Sequence, residues 1–180
     1  MKLERDRTVL VVVDVQEAFR PAVLDFDDVV HNVATLAAGA KALAVPILVT
    51  EQYPKGLGRT MPELAERLDR LEPIEKVCFS AAGSAEFNTA LAASGRNQVL
   101  LCGIESHVCV NQTADDLIGR GIEVHVAQDA VTSRSRQNRK LGLHKMERSG
   151  AVVTSVETAL FELLGAAGTP EFKEIQKLVK

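Results

Sequence analysis

Short runs of β-branched and aliphatic residues alternate along this chain with longer stretches whose apolar residues recur every three or four positions. Residues 8–13 (TVLVVV) are apolar almost throughout, which predicts a strand covered on both faces. Over residues 27–44, Val30, Val33, Leu36, Ala37, Ala40 and Leu43 fall at helical spacing, and Asp27 and Asp28 favour a helix start there by charge and capping. The same reading predicts strands at 46–50 (PILVT), 76–79 (KVCF), 98–102 (QVLLC), 123–127 (EVHVA) and 151–155 (AVVTS). It predicts helices at 62–71, 84–93, 108–119, 135–148, 156–164 and 171–179, several of them closed by glycine. Six strands separated by helices predict a three-layer, Rossmann-like α/β fold: one six-stranded parallel sheet with right-handed crossovers and helices on both faces. With no repeat and no low-complexity linker, one domain spanning 1–180 accounts for the whole pattern, with 171–180 as a terminal helix.

Composition narrows the function classes. Hydrophobic residues make up 46% and charged residues 25%, ordinary globular values, and the net charge of −3 gives no reason to expect nucleic acid or an anionic membrane as partner. No apolar run approaches the length of a bilayer span, and the run 9–13 is too short for a signal-peptide core, so a cytoplasmic location is expected. Three cysteines without close pair spacing argue against a disulfide framework and against a structural zinc site.

In open parallel sheets ligands bind beyond the carboxyl ends of the strands. That rule selects Asp14, the segment 103–109 and the loops beginning at Glu51 and Asp129; Lys76, as the first residue of its predicted strand, is the odd member. The stretch after the first strand has no glycine for a phosphate turn, and Gly56 and Gly58 are not completed into a phosphate loop, so no nucleotide cofactor is expected. Cys109 lies where the loop GIESHV meets a predicted helix, whose N-terminus would favour thiolate and could hold an oxyanion. The plainer alternative is a small buried hydrophobe, and that is the reading for Cys78 and Cys102 inside strand runs, which should react only on unfolding. Asp14 ends its strand half-buried, where desolvation would raise its pKa towards general-base duty; a helix-capping aspartate fits the position equally well. Lys76 by itself reads as a surface lysine. His107, two residues before Cys109, has poor geometry for a base and reads as pocket lining.

The segments VVVDVQEAF (11–19), EKVCFSAAGS (75–84), LLCGIESHVCVNQTADDLIGRG (100–121) and AQDAVTSRS (127–135) together resemble the isochorismatase-like cysteine hydrolases, nicotinamidases and carbamoyl-type amidohydrolases among them. The loop EQYPKGLGRTMPEL (51–64) is similar to the isochorismatase-domain subgroup of unassigned substrate. The resemblance implies a triad of Asp14, Lys76 and Cys109, in which Asp14 takes the thiol proton and Lys76 stabilises the thiolate. It further implies a cis peptide at Ile104–Glu105 and an oxyanion hole from the backbone N–H groups of Glu105 and Cys109. Phe19, Arg20, Tyr53 and His107 are the candidate substrate-binding residues. Family members that bind a metal use histidines after the second strand; residues 51–55 (EQYPK) contain none, so neither metal nor cofactor is expected. The expected function is hydrolysis of a small carboxamide or related acyl compound through a cysteine thioester. The alternative is a non-enzymatic binding or redox-responsive protein with Cys109 as an oxidation sensor. The terminal helix places Phe172, Ile175 and Val179 on one face, and the resemblance favours a neighbouring copy as its cover, hence a homo-oligomer.

Overall fold

The structure is a computed structural model that describes residues 1–68 and 72–180. In chain order its elements are β1 (Thr8–Val13), α1 (Phe26–Ala42), β2 (Ile47–Gln52), the single turns α2 (Pro54–Leu57) and α3 (Pro62–Ala65), β3 (Ile74–Lys76), α4 (Ala85–Ser94) and β4 (Gln98–Ile104). There follow α5 (Asn111–Gly119), β5 (Glu123–Thr132), α6 (Arg136–Ser149), β6 (Val152–Thr154), α7 (Val156–Leu164) and α8 (Phe172–Leu178). The six strands form one parallel sheet in the order β3-β2-β1-β4-β5-β6. The order reverses at β1, so the carboxyl ends of β1 and β4 flank the switch point where such sheets bind ligands.

Every residue of β1 is buried, and the strand's two-residue period divides them between two apolar layers. Leu10 and Val12 join Val33, Leu36, Leu160 and Ile175 on the face covered by α1, α7 and α8. Val9, Val11 and Val13 join Phe87, Leu117 and Met146 on the face covered by α4, α5 and α6. Burying a side chain of this size stabilises by about 1.5–3 kcal/mol. Gly39 lets α1 meet α7 closely, since a Cβ there would run into the Leu160 side chain.

Several expectations change. The predicted helix at 62–71 is here a single turn and a short 3₁₀ segment, Glu66–Leu68, and its last residues, 69–71, lie outside the described residues. β3 ends at Lys76 instead of starting there, because the chain beyond it folds around the lysine ammonium and leaves the ladder. Val77 and Phe79 are exposed and Cys78 is half-buried, outside any strand. β5 runs on to Thr132, so Asp129 belongs to a strand, where its carboxylate receives the Val156 N–H that opens α7. The apolar face of α8 is covered by the chain's own α1 and α7, with Ile175 fully buried, so the face that suggested a neighbouring copy is already occupied. Among the described residues no helix is long and apolar enough to cross a membrane.

Candidate active site

Asp14, Lys76 and Cys109 come together at the carboxyl edge of the sheet. Asp14 follows β1 directly and adopts a left-handed backbone (φ 53°), a conformation unusual for a residue with a Cβ. It is fully buried, where half-burial was expected. Its Oδ1 accepts the Thr50 hydroxyl at 2.7 Å and its Oδ2 accepts Lys76 Nζ at 2.7 Å. Lys76 Nζ also donates to Gln52 Oε1 at 2.8 Å and to the carbonyls of Phe79 and Cys78 at 3.0 and 3.2 Å. Every one of these neighbours is an acceptor, the surroundings an ammonium requires. Burial pushes the Asp14 carboxyl above its ordinary range, and the charge and hydrogen bond of Lys76 oppose that without cancelling it.

Cys109 is 5% exposed, and its thiol lies within the electrostatic reach of the Asp14 carboxyl. It sits on one π turn, Ser106–Val110, where the N–H groups of Val108 and Val110 both return to the Glu105 carbonyl, at 3.0 and 3.2 Å. α5 begins two residues later, so the cysteine precedes the α-helix it was expected to open. Burial first, and the Asp14 charge second, push the thiol up to about 12, against the opposing pull of Lys76. The resting sulfur is therefore a thiol, where the helix N-terminus had suggested a thiolate.

The turn is held from several sides. The Ile104–Glu105 peptide is cis. Glu105 is 3% exposed, and its carboxylate receives Arg134 Nε at 3.0 and 3.2 Å and Arg134 Nη2 at 2.9 Å. Ser133 Oγ is 2.6 Å from Ser106 Oγ and 3.0 Å from His107 Nδ1. α6 backs directly onto this turn because Gly142 has no side chain; a Cβ there would lie 2.5 Å from the Ser106 carbonyl. Thr113 Oγ1 donates to the Cys109 carbonyl at 2.7 Å and accepts the Ala81 N–H at 2.9 Å, tying the turn to the loop after β3.

The candidate substrate residues divide. His107 is on the same turn as Cys109, partly exposed. Tyr53 lines a cleft of about 520 Å³ together with Lys55, Lys76, Cys78 and Ser84; the Lys76 side chain is itself fully buried, and neither Cys109 nor Asp14 lines the cleft. Phe19 packs against the α1 layer. Arg20 is exposed, over the Phe26 ring and paired with Asp27 at 3.0 Å and Glu63 at 3.5 Å, beside a separate groove. Glu51 is committed elsewhere, with Oε1 accepting both the N–H and the hydroxyl of Thr60 at 2.7 Å. Sequence reasoning passed over Thr50, Gln52, Ser133 and Arg134. Thr50 and Gln52 carry a faint signal as alternate polar residues ending an apolar run, and Ser133 and Arg134 lie inside the quoted motif AQDAVTSRS without an assigned role.

Comparison with known proteins places these residues in context. The isochorismatase domain matches residues 8–158. A Phytophthora sojae protein named secreted isochorismatase effector Isc1 is 44% identical over 177 residues, which cover 96% of this chain and 84% of that one. The zebrafish (Danio rerio) isochorismatase domain-containing protein 2 is 42% identical over 178 residues, covering 99% of this chain and 89% of that one. Among solved structures, the Caenorhabditis elegans protein described as Mar1 ribonuclease superposes with a TM-score of 0.94 at 40% identity, covering 99% of this chain and 92% of that one.

Proposed function

Because the chain belongs to the isochorismatase family, whose members support a hydrolase role, we propose that it hydrolyses a small carboxamide or related acyl compound through a thioester on Cys109. One observation carries this reading: the fully buried Asp14 carboxyl accepts Lys76 Nζ at 2.7 Å, while its charge acts on the buried Cys109 thiol. A base with a raised pKa next to a thiol pushed up to about 12 suits proton transfer that accompanies attack.

In the proposed sequence Sγ attacks the carbonyl carbon while its proton passes to Asp14 Oδ2 or Oδ1. The oxyanion is received by the backbone N–H groups of Glu105 and Cys109, at the head of the π turn. When the tetrahedral adduct collapses, the C–N bond breaks and Asp14 returns the proton to the leaving amine. A water then gives its proton to Asp14 and attacks the thioester; the acid departs and the proton goes back to sulfur. Lys76 holds the Asp14 carboxylate in place throughout and counterbalances the negative charge shared with sulfur. His107 and Tyr53 are the proposed substrate contacts, the first on the nucleophile turn and the second in the cleft beside Lys76.

A sensor role for Cys109 is disfavoured by the same chemistry, since oxidation follows thiolate character and exposure and this thiol has little of either. The word ribonuclease is the nematode protein's; here a net charge of −3 and a 5% exposed nucleophile support a small substrate over a polyanion. The test is turnover across a panel of small amides, with Cys109→Ala as control. Ammonia or amine release by the wild type and none by the variant is expected. Equal release by both, or an acyl-enzyme mapped to another residue, would overturn the assignment.

A further inference from the structure

Ser80 carries a buried hydroxyl that the fold does not use. The residue is 8% exposed, and its Oγ has no hydrogen-bond partner among the described residues. It stands directly before the 3₁₀ turn Ala81–Gly83, where a serine side chain would ordinarily cap. It makes no such bond, and the Gly83 N–H goes to the Ser80 carbonyl at 3.1 Å. Folded chains seldom leave a buried hydroxyl unpaired, and positions that break this rule are concentrated at functional sites.

The residues on either side of Ser80 are parts of the site. On its amino side the Phe79 carbonyl accepts Lys76 Nζ at 3.0 Å. On its carboxyl side the Ala81 N–H donates at 2.9 Å to the Thr113 hydroxyl, which in turn donates at 2.7 Å to the carbonyl of Cys109. Ser80 is thus strung between the ammonium that holds Asp14 and the turn that presents the nucleophile.

We propose that the Ser80 hydroxyl is a specificity-determining group that accepts an N–H of a primary carboxamide bound for attack by Cys109. The proposal rests on the reading of Cys109 as nucleophile. With the substrate's oxygen given to backbone N–H groups, its NH2 needs an acceptor. Lys76 Nζ is a donor already facing four acceptors, and Asp14, once it has taken the thiol proton, is itself a donor towards the amide nitrogen. Ser80 Oγ is the uncommitted acceptor in the loop between them. A site built this way discriminates against an isostere without the N–H, because that ligand leaves the hydroxyl unpaired.

Acrylamide and methyl vinyl ketone have the same shape and differ in NH2 against CH3, so they probe this contact without a known substrate. Their rates of addition to Cys109 are read by peptide mapping for the wild type and Ser80→Ala. Ser80→Ala is expected to slow acrylamide by roughly three- to tenfold and to leave methyl vinyl ketone unchanged. Its Tm is expected to rise by a few degrees, since it removes an unpaired buried hydroxyl. Equal slowing of both reagents with a lowered Tm would make the hydroxyl structural, and unchanged acrylamide addition would remove it from the site; either result overturns the proposal alone. Failure of both reagents to reach Cys109 in the wild type would overturn the nucleophile reading and this proposal with it.

Discussion

Replacing Lys76 by methionine removes the charge at 2.7 Å from a fully buried Asp14 and keeps the side chain's bulk. At an effective dielectric of 20 the direct attraction at that separation is about 6 kcal/mol. Part of it offsets the desolvation of the two ions, so the expected destabilisation is about 3–5 kcal/mol where Asp14 stays ionised. Asp14 has a second way out, because it can take up a proton. Its folded pKa already lies above the ordinary 3.8 through burial, and the charge and hydrogen bond of Lys76 both hold it down. Their loss raises it further. A carboxyl whose folded pKa exceeds its unfolded one binds more protons when folded, so stability falls as pH climbs from the unfolded pKa to the folded one, by up to about 1.4 kcal/mol per unit. Lys76→Met should therefore be close to wild type near pH 4–5 and lose stability steadily above it. Asp14→Asn together with Lys76→Met should recover most of the loss at pH 8. Urea unfolding of the wild type, the single variants and the double variant from pH 5 to 9 measures this. A pH-independent deficit in Lys76→Met, or a double variant no more stable than Lys76→Met at pH 8, would refute the electrostatic account.

Three further outcomes follow from the same geometry. Because burial pushes the Cys109 thiol up to about 12 from an ordinary 9.0, the wild type should lose about 1 kcal/mol more stability than Cys109→Ala between pH 8 and pH 10; parallel unfolding curves for the two would contradict that. Limited iodoacetamide labelling of the folded protein should mark Cys78 first, since it is half-buried and lines the 520 Å³ cleft while Cys102 and Cys109 are buried. This reverses the expectation that Cys78, read as a strand residue, reacts only on unfolding, and first labelling at Cys102 would count against the fold. Gly142→Ala should cost at least about 2 kcal/mol in urea unfolding and slow acrylamide addition at Cys109, because the new methyl group meets the Ser106 backbone; a wild-type-like variant would show that α6 does not brace the turn.

The sheet was legible in the chain because its information is local. Uninterrupted runs such as TVLVVV suit strands covered on both faces, and their alternation with helical periods points to a parallel α/β arrangement. The grouping of Asp14, Lys76 and Cys109 was legible through its motifs, not through periodicity: residue by residue Lys76 looked like a surface lysine, and only the company of VVVDVQEAF and GIESHVCV suggested otherwise. Tertiary structure decided the chemistry. Lys76 became the last residue of its strand because its ammonium gathers two carbonyls of the following loop, a competition that no hydrophobic pattern records. Cys109 is a protonated thiol because burial and Asp14 outweigh Lys76, a balance set by distances that arise only when residues 14, 76 and 109 are folded together. Arg20 pairs with Asp27 and Glu63, and the apolar face of α8 packs on α1 and α7. Charges and apolar faces have several partners available in a sequence, and packing selects one.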